Sequence, residues 1–184
     1  MAFAVSNLSC GYQDIPLLSN LEFACNNGKA IIFQGENGVG KSTIGKAISN
    51  ELSMQFIDID KIIEKKLKLT VQNIFKNKGE TFFREIEEEV TLEEVRKKNR
   101  VISLGGGAFM NAEIRDCVIL NTKSFWLDLD INLIEKRIAN SKKRPLLTNK
   151  NIRLDLEKIY KERKSTYSLA NYKIDCNNLT AKLI

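Results

Sequence analysis

The chain is expected to fold as an α/β protein, with one parallel β-sheet carrying helices on both faces. Three observations predict this. The short apolar run Ala30-Ile31-Ile32-Phe33 leads into a Gly-rich loop at Gly35, and a segment with helical spacing follows. Strand-like and helix-like stretches then alternate to the end of the chain, the pattern of a parallel sheet covered on both sides. The length, 184 residues with 43% hydrophobic and 28% charged side chains, suits one domain with a real core.

In order, residues 29–34 read as a buried strand. Ile44, Ala47, Ile48 and Leu52 give residues 40–52 a helical apolar stripe. Residues 54–59 form a second strand that runs into Asp58-Ile59-Asp60. Helices are expected over 60–66, 70–77 and 80–98, the last with Phe83, Ile86, Val90 and Val95 on one face. Residues 101–104 are a third strand, broken by Gly105-Gly106-Gly107. A helix over 111–119, a strand over 124–129 and a helix over 131–140 come next. The basic stretch 141–150, with Pro145, reads as a loop. A helix over 151–169 and a strand over 172–175 finish the chain. Residues 1–28 differ: two short strand-like pieces, 3–8 and 21–25, flank a turn-rich stretch, and together they predict a hairpin-like β extension ahead of a 29–184 domain.

Composition narrows the chemistry. The chain has no histidine, so a mechanism needing a His base or His metal ligand is excluded. Cys10, Cys25, Cys117 and Cys176 are scattered with no Cys-x-x-Cys pair, which favours reduced thiols in a cytosol over disulfides or zinc. No apolar run reaches the ~18 residues of a membrane span, and the start lacks a secretory signal pattern. A cytoplasmic protein without a membrane partner is expected. The net charge of +6 can mark nucleic-acid binding or an anionic small-molecule site. The basic clusters Lys65-Lys66, Arg96-Lys97-Lys98 and Lys142-Lys143-Arg144 are far apart, which argues against a nucleic-acid stripe.

Gly35-Glu36-Asn37-Gly38-Val39-Gly40-Lys41-Ser42 has the Gly-x4-Gly-Lys-Ser/Thr pattern between a predicted strand and a predicted helix. Main-chain N–H groups of such a loop curl around phosphate oxygens, and the helix N-terminus favours their charge. Lys41 can reach the β- and γ-phosphates, and the Ser42 hydroxyl can ligate Mg²⁺. Asp58 and Asp60 stand near the carboxyl end of the next strand, where open parallel sheets bind ligands. Taken alone, an Asp-x-Asp is more often a helix cap than a site. Gly105–Gly107 could let a substrate approach the main chain.

Six stretches then occur in order: Gly40–Gly45, Phe56–Asp60, Ile74–Glu87, Gly105–Met110, Arg144–Leu147 and Glu162–Tyr167. Together they resemble the shikimate kinase family, over about residues 29–177. The resemblance implies a P-loop NTPase of nucleoside-monophosphate-kinase-like fold that transfers the ATP γ-phosphoryl group to the 3-hydroxyl of shikimate, with Mg²⁺. It implies that Asp60, Arg84, Gly106 and Arg163 bind shikimate and that Gly38, Val39, Gly40, Lys41, Ser42 and Thr43 bind nucleotide. Ser42 and Asp58 serve the metal, Arg137 lies against adenine, and Arg144 meets ATP from a lid over 141–150. Lys41, Asp60 and Arg144 are then the catalytic set, in a monomer. Guanidinium forks suit a carboxylate, which agrees with Arg84 and Arg163 as anchors. Without the family match, an exposed helix-face ion pair is the favoured reading of either arginine. A related small-molecule P-loop kinase, such as gluconate kinase, is the second enzyme reading.

The opening differs from that family. Val5–Tyr12, Leu18–Phe23 and Gly35–Gly38 resemble the start of an ABC-transporter ATPase, with Tyr12 placed where that family stacks an aromatic on adenine. The likeness fades near Thr43, and no Leu-Ser-Gly-Gly-Gln signature follows. A non-catalytic ATP-binding or ABC-type partner module is the reading from another class.

Overall fold

A computed structural model describes residues 2–12, 15–26, 29–139 and 152–177. Five parallel strands form the main sheet: β3 (Ala30–Gln34), β4 (Gln55–Asp58), β5 (Arg100–Ser103), β6 (Thr122–Asp128) and β7 (Tyr172–Asp175), in the order β4-β5-β3-β6-β7. The apolar strand β3 is central because every residue in it is buried, and only an inner strand is covered on both faces and both edges. It pairs with β5 from Ile31↔Val101 and with β6 from Ala30↔Thr122.

Successive side chains of β3 point to opposite faces. Ile31 and Phe33 pack with Ile44 and Ile48 of α1 (Lys41–Glu51), Ile134 of α5 (Ile131–Ala139) and Leu156 of α6 (Ile152–Tyr167). Ala30 and Ile32 face the other layer, built from α2 (Ile59–Leu67), α3 (Val71–Val95) and α4 (Ala112–Asn121), with Ile63, Phe83 and Ile114 in its core. Caps set the helix starts: Asp58, Thr70 and Asn111 each accept from a main-chain N–H three residues on. The expected break between helices 70–77 and 80–98 falls at Gly79, whose non-helical φ of 84° and ψ of 172° separate two helical stretches within α3.

Three expectations are corrected. The strand expected to reach residue 59 ends at Asp58, which caps α2 and leaves Asp60 in the first turn of that helix. The helix expected to reach residue 98 ends at Val95, and Asn99 with φ 56° turns the chain into β5. The turn-rich opening is mostly strand: β1 (Ala2–Tyr12) and β2 (Ile15–Asn26) pair antiparallel with each other as a separate two-stranded sheet. Register shifts near Val5, Leu8 and Cys10 break the alternation of apolar and polar residues that would have revealed the full length. The stretch 141–150 and Arg144 lie outside the described residues.

A two-stranded ribbon is marginal in water by itself. Here β1 lies on α1, and Val5, 2% exposed, shares a core with Ile44, Ile48, Leu52 and Met54. Val5→Ala is therefore expected to cost about 1–3 kcal/mol of unfolding free energy. A denaturant titration giving less than about 0.5 kcal/mol would show that the ribbon does not share this core.

Candidate active site

Four strand ends meet at one rim of the sheet. The loop after β3 carries the phosphate-binding pattern, Asp58 closes β4, Gly105–Gly107 follow β5, and Asp128 closes β6. Gly35 must be glycine: its φ is 140°, and a Cβ there would lie 2.6 Å from the Leu127 carbonyl oxygen. Gly38 and Gly40 also take positive φ, so the chain curls tightly into α1. Lys41 is buried at the start of that helix, its Nζ donating to the carbonyls of Gly35 (2.6 Å) and Glu36 (3.0 Å). Thr43 is in the first turn of α1, its N–H donating to Gly40 O at 3.1 Å.

The residues assigned to the metal and to adenine fall around this loop. Ser42 Oγ donates to Asp58 Oδ2 at 2.9 Å, while Asp58 Oδ1 accepts from Lys61 N. Asp58 is thus a helix cap and a partner of the loop hydroxyl at once. Arg137 of α5 donates from Nη1 to Val39 O at 3.2 Å, which ties α5 to the loop. Two hard oxygen groups 2.9 Å apart beside a phosphate-binding loop fit Mg²⁺, which is commonly held by few protein oxygens plus phosphates.

On the other side of the rim, the Gly105–Gly107 main chain is hemmed in by charge. A Cβ at Gly105 would collide with Glu87 Oε1 and stand 3.2 Å from Asp60 Oδ1. One at Gly107 would lie 2.6 Å from Arg84 Nη2. Arg163 of α6 donates from Nη1 to Gly106 O at 3.2 Å, and the Tyr167 hydroxyl also donates to Gly106 O. Arg84 and Arg163, 79 positions apart by their numbers, line one cavity of about 410 Å³ with Glu87, Gly107 and Glu162.

Both arginines have carboxylate partners that the motif alone did not point out. Arg84 donates from Nη1 to Glu87 Oε2 at 2.6 Å and from Nη2 to Glu80 Oε1 at 3.0 Å. The helix spacing of Glu80, Arg84 and Glu87 was a readable signal, but not that Glu87 is 1% exposed. Arg163 donates from Nη1 to Glu36 Oε2 at 3.1 Å, and Glu36 is 6% exposed. Nothing in the spacing of residues 36 and 163 announces that pair. Burial pushes the Glu36 and Glu87 carboxyls above their ordinary range, against the pull of Arg163 and Lys41 on the first and of Arg84 on the second. Burial likewise raises the Tyr167 phenol, helped by the Glu36 charge.

The two ends of this rim, a phosphate loop with a hydroxyl–carboxylate pair and a pocket with two arginines near an aspartate, suit phosphoryl transfer to a small anionic acceptor. The shikimate kinase family model matches residues 37–183. The chain belongs to the shikimate kinase family.

Its relatives include the shikimate kinase of Sulfurihydrogenibium sp., 37% identical over 156 residues, covering 85% of this chain and 93% of that one. That of Bacillus subtilis is 38% identical over 152 residues, covering 82% and 81%. Among solved structures, shikimate kinase from Acinetobacter baumannii in complex with shikimate superposes with a TM-score of 0.77 at 33% identity, over 81% of this chain and 84% of that one. The Aquifex aeolicus shikimate kinase gives 0.70 at 33% identity, over 79% and 86%. A deoxyadenosine kinase from M. mycoides, 17% identical with a TM-score of 0.51 over 80% and 91%, shares the fold alone. The shikimate kinase match leaves residues 1–36 outside it.

The raised Glu87 carboxyl carries a pH signature. A carboxyl that titrates higher in the folded chain than in the unfolded one gives stability that is full below about pH 4.5, the ordinary value, and lost as pH rises through the folded pKa. Arg84 and Arg163 oppose this shift and Asp60 adds to it, and burial outweighs them. Glu87→Gln stays neutral, so without ligand it should gain stability relative to wild type as pH rises above the ordinary carboxyl value of 4.5, until the raised folded pKa is passed. Melting curves in which the difference between the two proteins is flat with pH would contradict this.

Proposed function

We propose that the chain transfers the γ-phosphoryl group of ATP to the 3-hydroxyl of shikimate. The observation that carries the reading is the meeting of Arg84 from α3 and Arg163 from α6 on the main chain of Gly106 and Gly107, within one cavity. Two forked cations on one pocket suit a single carboxylate. The acceptor's carboxylate would lie against them, with Gly106 main chain below and its hydroxyls toward Asp60.

The nucleotide would take the loop Gly38–Thr43, with Arg137 against adenine and Lys41 leaving its two carbonyl partners for the β- and γ-phosphates. Ser42 and Asp58 would hold Mg²⁺, which when bound neutralises charge on the phosphate oxygens. Asp60 accepts the proton of the attacking hydroxyl; a loose transition state asks little of a base and much of alignment. Arg144, from the 141–150 stretch, completes the set by meeting the transferring phosphoryl. Water exclusion by that stretch limits ATP hydrolysis without acceptor.

We read residues 29–184 as the kinase domain and residues 1–28 as an appendage of ABC-ATPase-like sequence that is not a nucleotide site. The pairing of β1 and β2 only with each other, among the described residues, supports that division. We also read the enzyme as a cytoplasmic monomer without nucleic-acid or membrane partners. In support, no helix among the described residues is long and apolar enough to cross a membrane, and the basic clusters are dispersed in sequence.

Coupled measurement of ADP release with MgATP should show turnover with shikimate far above that with quinate, gluconate or no acceptor. Equal release with and without shikimate would sink the reading. Arg84→Gln should lower kcat/KM for shikimate by about 10- to 150-fold, the scale of 1.5–3 kcal/mol for a charged hydrogen-bonded contact. Nucleotide affinity by titration should stay close to wild type, and an equal loss for both ligands would move Arg84 out of the acceptor pocket.

A further inference from the structure

Glu36 is the second residue of the phosphate-binding loop, yet its side chain turns away from the loop to Arg163. Its Oε2 accepts from Arg163 Nη1 at 3.1 Å, and the Tyr167 hydroxyl and the Lys41 charge also act on the carboxylate. The carboxylate is 6% exposed, so little water screens it. Its neighbour Asn37 points the same way, since a Cβ on Gly106 would lie 3.2 Å from Asn37 Oδ1 and 3.3 Å from Arg163 Nη1. Of the nucleotide-loop side chains, Asn37 therefore reaches the Gly106 main chain and Glu36 reaches the arginine bonded to it.

We propose that Glu36 sets the affinity of the pocket for its acceptor, as a built-in anion that offsets the Arg163 charge an incoming carboxylate needs. The proposal rests on the reading of Arg163 as an acceptor anchor. Arg163 Nη1 is committed to two oxygens, Glu36 Oε2 and Gly106 O, which leaves the Nε–Nη2 edge of the fork to meet a carboxylate. The Glu36 charge beside it weakens that edge as an anion site. The pair is nearly neutral as seen by a third charge, and a buried anion close to the acceptor's carboxylate repels it through a medium of low dielectric.

Orientation and charge can be separated by substitution. Glu36→Gln keeps the length and an oxygen that can accept from Nη1, and it removes the negative charge. If Glu36 only aimed Arg163, this variant would bind shikimate as wild type does. If its charge restrains binding, affinity rises. Damage to the fold would lower affinity, so a gain has no trivial structural cause.

The experiment is calorimetric titration of shikimate into the full chain without nucleotide, for wild type, Glu36→Gln and Arg163→Ala. The expected result is about tenfold tighter binding in Glu36→Gln, with binding largely lost in Arg163→Ala. Unchanged or weaker binding in Glu36→Gln, with Arg163→Ala still impaired, overturns the role of Glu36 and leaves the acceptor site standing. Wild-type affinity in Arg163→Ala overturns both. Should Glu36→Gln not give folded protein, Glu36→Asn, uncharged and with the same amide oxygen as acceptor, replaces it with the same expected gain and the same overturning result.

Discussion

One guanidinium joins three parts of the rim. Arg163 of α6 bonds Glu36 of the loop after β3 and the carbonyl of Gly106 after β5. On the proposed reading, the loop after β3 would serve the nucleotide and the loop after β5 the acceptor. Their separation is held by this bridge and by the β3–β5 ladder behind it. Phosphoryl transfer is mostly alignment of two bound molecules. A bridge between the loops that hold them is therefore a constraint on the chemistry as well as on the fold.

Charge is held in this rim at some cost. Glu36 and Glu87 are nearly sealed from water, and each faces one arginine that is only partly covered. Removing ions from water costs several kcal/mol each, which pairing offsets only in part. The raised carboxyls express that imbalance. The same carboxylates hold both guanidinium groups in place before any ligand arrives, so binding loses less side-chain entropy.

Much of this was legible in the chain because local rules and the global fold agree. β7 runs over Tyr172–Asp175 as expected, and the gap between two expected helices coincides with the bend at Gly79. The ordered motifs located Arg84 and Arg163, which the structure brings to one cavity. What was not legible depends on distance in sequence. Glu36 looked like a variable position of a loop pattern, and only the arrival of α6 makes it a buried ion-pair partner. The extent of β1 and β2 was obscured because bulges reset the two-residue period. Asp58 had two readings in the sequence, cap and site, and the structure shows the cap together with a bond to Ser42.

The sheet order has a kinetic consequence. The central strand β3 is early in the chain, but its two neighbours, β5 and β6, pair with it through Val101 and Thr122. Most of the domain must exist before that strand can be closed in, and non-local parallel pairing is the slow kind. The β1–β2 ribbon, by contrast, pairs neighbours in sequence, an event of about 1–10 μs. During synthesis it can form while β3 still waits with its apolar residues uncovered. Together with α1, against which it packs, it offers the nascent chain an early local surface at the edge of the unfinished core.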